Sequence, residues 1–84
     1  MLNSLRLEID EIDEKLICLL AKRSHISQSI GEYKKEQGLK PLDENRWEKV
    51  LQSRIKLGKK HDLQEKFVRN IWEEIHQSSL EVQK

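Results

Sequence analysis

Apolar side chains recur at Leu2, Leu5, Ile9, Ile12, Leu16, Leu19, Ile26, Ile30 and, mostly apolar, Tyr33, in an alternating three-four spacing. Such spacing is the heptad seam of a paired helix. The pattern meets no proline and only one glycine, Gly31, so it predicts a first helix from about Asn3 to about Glu36, with Asn3 or Ser4 as N-cap. A helix of ~33 residues is ~50 Å long at 1.5 Å per residue. The run Gln37-Gly38-Leu39-Lys40-Pro41 then supplies a glycine that can end a helix and a proline that cannot continue one. Asp43 offers the N-cap of a second helix reaching about Gly58 or Lys60, and Asp62-Leu63-Gln64-Glu65 fits a capping box opening a third. There is no strand-like alternation, no solenoid repeat and no low-complexity linker. The expectation is an all-α subunit, one domain over residues 1–84, built of three helices with a long one first.

Length sharpens this picture. A chain of 84 residues buries little of its own surface, and such chains are often completed by disulfides, metal or oligomerisation. Cys18 is the one cysteine, so no internal disulfide forms, and it reads as a small buried hydrophobe without a redox role. His25, His61 and His76 lie far apart and have no second cysteine to join them in a tetrahedral metal site. Oligomerisation remains. The seam of the first helix is longer than two shorter helices of the same chain can cover, so a homodimer is expected. With 37% charged residues, both signs interleaved and a net charge of +1, nothing drives the chain toward nucleic acid. No apolar run approaches the ~20 residues of a membrane span, and the opening residues do not resemble a signal peptide. A cytoplasmic location is the default.

Arg23 interrupts the seam. A guanidinium buried there needs an anionic partner. That partner is either an Asp or Glu of another helix, with snorkelling to solvent as the milder variant, or a carboxylate brought by a ligand. Lys34 stands close to three turns further on, on the same face and ~16 Å away. Arg46 follows Asp43 in the first turn of the second helix. On the third helix the stripe of Trp72 and Ile75 continues into Ser79 and Gln83, which spacing alone reads as a solvated, fraying end. His25 and His76 read as surface or interface groups.

The run Leu5-Arg6-Leu7-Glu8-Ile9-Asp10-Glu11-Ile12-Asp13-Glu14-Lys15-Leu16, then Leu19-Leu20-Ala21-Lys22-Arg23, resembles the first helix of the all-helical (AroQ-type) chorismate mutases. So do Ile30-Gly31-Glu32-Tyr33-Lys34, the break near Pro41, Asp43 through Arg46, and Ser79 with Gln83. The likeness covers nearly the whole chain in order. It implies an intertwined homodimer with paired first helices and active sites shared between chains, and a pericyclic rearrangement of chorismate to prephenate that uses no metal or organic cofactor. By this resemblance Arg23 and Arg6 of the partner subunit bind the substrate carboxylates, with Ser79 supporting one. Lys34 and Gln83 donate to the ether oxygen, Arg46 adds positive field, and Asp43 lies near the ring hydroxyl.

One position departs from the family. Where Trp47 stands, immediately after Arg46, the family usually has a glutamate that contacts the ring hydroxyl. Glu48 cannot substitute, because one residue turns a helix by ~100°. Either Trp47 packs in the core and another group or water meets the hydroxyl, or it lines a pocket for another substrate. Isochorismate-pyruvate lyase and 4-amino-4-deoxychorismate mutase are the related activities of this fold. A non-catalytic helical dimerisation or regulatory module is the competing class, against which the set Arg23, Lys34 and Gln83 argues.

Overall fold

Three helices and no strands make up the computed structural model, which describes all residues 1–84: α1 (Leu2–Glu36), α2 (Glu44–Lys60) and α3 (Glu65–Gln83). α1 begins at Leu2, one residue before the expected start at Asn3, with Met1 as a cap that contributes no side-chain hydrogen bond. Asn3 and Ser4 are therefore inside the helix and cap nothing.

Both inter-helix breaks end in the same way. Gly38 takes φ +70°, the Leu39 N–H donates to Lys34 O at 2.7 Å and the Gly38 N–H to Lys35 O at 3.2 Å. This is a Schellman closure, and it satisfies carbonyls that the last turn would otherwise leave free. At the end of α2 the residue in the left-handed region is Asp62, φ +62°. There Leu63 N–H reaches Gly58 O at 2.9 Å and Asp62 N–H reaches Lys59 O at 3.2 Å. The capping box expected at Asp62 is thus overturned. An N-cap needs an extended backbone, whereas Asp62 is already spent on closing α2, and Gln64 caps α3 instead, without a side-chain bond. Asp43 does cap α2, its Oδ1 accepting from the Arg46 N–H at 3.1 Å.

α3 is the shared neighbour. It packs on α1 along one side and on α2 along another, while α1 and α2 do not pack on each other. Leu51, Ile55 and Val68 form the buried core between α2 and α3, with Trp47 and Trp72 against it. Gly58 lets those helices close up, since a Cβ there would stand 2.6 Å from Val68 Cγ2. Where α1 meets α3 lie Ser27 and Gly31, the only buried residues of α1.

The rest of α1 has no cover. Every residue from Met1 to Lys22 is exposed, and the seam side chains Leu2, Leu5, Ile9, Ile12, Leu16 and Leu19 are each more than half exposed. Cys18 is exposed too, contrary to its reading as a buried hydrophobe, because nothing in the chain packs on that half of the helix. The resulting shape is long, 55 × 23 × 15 Å with a radius of gyration of 15.7 Å, against ~12 Å for a compact chain of this length. No helix is long and apolar enough to cross a membrane.

Candidate active site

Because α1 and α2 touch only α3, a cleft of about 360 Å³ opens between them with α3 as its floor, within the ~300–1,000 Å³ usual for small-ligand sites. Helical periodicity explains what lines it. Arg23, Ser27, Ile30 and Lys34 face it from α1, Asp43, Arg46, Trp47 and Val50 from the start of α2, and His76, Ser79, Leu80 and Gln83 from α3. Each group follows the three- and four-residue steps that place side chains on one face.

Of the residues anticipated from sequence, the fold brings Arg23, Lys34, Asp43, Arg46, Trp47, Ser79 and Gln83 to this cleft. Arg6 is not among them. It lies 17 residues before Arg23 on the same straight helix, ~25 Å away. Ser27, Pro41 and His76 were not anticipated as cleft residues. Ser27 is one helical turn from Arg23, and His76 is three residues before Ser79, so same-face spacing is the signal that finds both.

Arg23 donates to Ser79 Oγ at 3.0 Å, and Ser79 Oγ lies 2.7 Å from Ser27 Oγ. No acid reaches it. The ion pairs of the chain, Lys59–Glu65, Arg69–Glu65 and Lys84–Glu81, all lie on the surface elsewhere. Burial, and then the neighbouring cations Arg54 and Arg46, push the Arg23 guanidinium below its ordinary pKa. A structural ion pair at Arg23 is therefore ruled out within the chain.

Lys34 Nζ donates to Pro41 O at 2.6 Å and to Gln83 Oε1 at 3.0 Å. An ammonium has three donors, so one is left for the cleft. The ammonium also fixes the Gln83 amide, since only its oxygen can face a cation, and its NH₂ end is left as a donor. Gln83 is buried rather than frayed. A Cβ on Gly31 would come 2.7 Å from Gln83 Cα, so the glycine is what lets the last turn of α3 settle on α1.

His76 stacks on Trp47, ring centroids 3.9 Å apart and planes 8° from parallel. Burial, and then Arg23, hold its pKa below the usual histidine value, so it is neutral at neutral pH. It is a cleft residue, not the surface or interface group the sequence suggested. Chemically, the cleft offers three cations, none of them ion-paired to an acid, a hydroxyl pair and an amide donor on fixed supports. Such a constellation holds a small dianion and stabilises charge that develops on a third oxygen.

The chain matches the family model described as chorismate mutase type II over residues 5–84. It is 35% identical over 77 residues to the bifunctional chorismate mutase/prephenate dehydratase of Buchnera aphidicola subsp. Acyrthosiphon pisum, covering 92% of this chain and 20% of that protein. To the chorismate mutase of Methanocaldococcus jannaschii it is 37% identical over 65 residues, 76% of this chain and 65% of that one. The chain thus spans a fifth of the first relative's length and just under two thirds of the second's.

Proposed function

Because this chain belongs to the chorismate mutase type II family, we propose that it catalyses the rearrangement of chorismate to prephenate, in the cytosol, as a homodimer. The observation that carries this reading is the convergence of Arg23, Lys34 and Arg46 on one cleft with no acid paired to any of them. A dianion supplies the missing charge. Arg23, backed by Ser79, takes one carboxylate. Lys34 and Gln83 aim their free donors at the ether oxygen, which gains negative charge as its bond breaks, and Arg46 adds positive field from α2. Asp43, one oxygen in the α2 cap, lies toward the ring hydroxyl. Fixed donors of this kind lower the barrier because they bind the transition state better than the substrate, and holding the side arm folded over the ring supplies the rest.

The second carboxylate needs Arg6, which its own chain holds ~25 Å from Arg23. An antiparallel partner helix brings Arg6 of the partner subunit to the stretch between Arg23 and Lys34. The bare seam from Leu2 to Leu19 is what such a partner would cover, and an apolar surface of that extent marks an interface.

Incubation with chorismate and, separately, isochorismate, with products separated by chromatography, tests the assignment. Prephenate from chorismate is the expected product. Preference for isochorismate overturns it.

Gly31→Ala tests how the donors are held. Its Cβ collides with backbone at Gln83, and overpacking costs about 1–3 kcal/mol. Replacing a mid-helix glycine by alanine returns about 1 kcal/mol of helix propensity. Net stability should therefore fall only slightly. Turnover should fall at least ~10-fold, because displacing a positioned group by ~1 Å costs up to ~10². Thermal unfolding beside steady-state rates checks both, and unchanged turnover would show that Gln83 need not sit where Gly31 puts it.

A further inference from the structure

The cations and amide of the cleft answer the charged parts of the proposed substrate, and this inference rests on that reading. Its neutral ring hydroxyl is a separate recognition problem. Most acceptors lining the cleft are already engaged. Pro41 O and Gln83 Oε1 hold Lys34, and Asp43, with Oδ1 in the α2 cap, has only Oδ2 of an exposed side chain left to meet the hydroxyl. His76 is different: half-buried on the floor, it borders the cleft and its ring is held flat against Trp47 at 3.9 Å.

We infer that His76 is a specificity-determining residue, its imidazole hydrogen-bonding the ring hydroxyl of the bound dianion while the stacked Trp47 sets the plane of the imidazole. A neutral imidazole carries one donor and one acceptor, which matches a hydroxyl and discriminates against a ring without one. Neutrality follows from burial and from Arg23 beside it, both of which disfavour the imidazolium. Trp47 is in turn packed on Leu51, Ile55 and Val68, so the imidazole is oriented before the ligand arrives, as a selective site requires. This gives Trp47 a positioning role that a carboxylate at the same place could not perform, because a carboxylate has no aromatic face.

The test uses two inhibitors and three proteins. The inhibitors are a bicyclic dicarboxylate mimic of the folded transition state that keeps the ring hydroxyl, and its deoxy counterpart. The proteins are the wild type, His76→Phe, which can keep the stack on Trp47 but has no ring nitrogen, and His76→Gln, which restores a donor and an acceptor without the stack. His76→Phe should weaken the hydroxylated inhibitor by about 10- to 100-fold and the deoxy inhibitor by less than about threefold, the loss of one hydrogen bond in a buried site. His76→Gln should recover part of that difference, and it carries the same comparison should His76→Phe fail to fold. Equal weakening of both inhibitors, or of neither, overturns the role of His76 alone. A wild type that binds neither inhibitor and leaves chorismate unchanged overturns the functional reading beneath it.

Discussion

Arg23→Ala and Lys34→Ala should each lower chorismate turnover by ~10²–10³, the usual cost of losing one preorganised donor, while the helical circular dichroism should stay nearly constant. The two variants should differ in stability, and the difference is informative. Arg23 is half-buried beside Arg54 and Arg46, with only Ser79 as a hydrogen-bond partner. Removing it orphans no acid and relieves repulsion between cations, and Ser79 keeps Ser27 at 2.7 Å. The melting temperature of Arg23→Ala should therefore hold or rise. Lys34 ties α1 to Pro41 and to Gln83, so Lys34→Ala should melt earlier, losing about 1 kcal/mol of stability for each hydrogen bond removed. Stopped assays and thermal melts on the same samples read both quantities. An Arg23→Ala protein that keeps its turnover but melts early would make Arg23 a structural residue and remove the main support for a dianion site.

Mixing two inactive chains should restore activity. Arg6→Ala and Arg23→Ala subunits are each expected to be nearly inactive alone, since every shared site lacks one carboxylate ligand. In a mixed dimer one site loses both arginines and the other retains Arg6 from one chain and Arg23 from the other. Random pairing makes half the dimers mixed, so recovery approaches about a quarter of wild-type activity per chain for a two-fold dimer with independent sites. The physical basis is the length of α1. Its first 22 residues are exposed, and the arginines stand ~25 Å apart along a straight helix, too far to grip one small molecule from the same chain. Sedimentation at micromolar concentration should show the dimer beforehand. No recovery after demonstrated subunit exchange would put Arg6 outside the site, and a folded monomer would remove the shared site altogether.

Helix number and most helix boundaries were legible from residues because they rest on local chemistry. Gly38 ends α1, Pro41 bars its continuation and Asp43 caps α2, all through neighbours within a few positions. The heptad spacing of α1 likewise needs only the helical repeat, and it marks the stripe that the chain leaves bare. Where two local signals competed, residues alone could not decide. Asp62 suits either a cap or a left-handed closure, and the closing of α2 onto Gly58 took it for the latter.

The cleft belongs to tertiary structure. α3 separates α1 from α2, and that arrangement turns Ser79 and Gln83 from an apparent fraying end into a floor locked to Arg23 and Lys34. The close approach at Gly31 is invisible in sequence, because it depends on a residue 52 positions away, at Gln83. So is the stack of His76 on Trp47, which places one aromatic residue against the core and the cleft at once. Periodicity assigns a side chain to a face of its own helix; only packing decides which other face it meets, and whether a charge set there finds an acid or, as at Arg23, finds none.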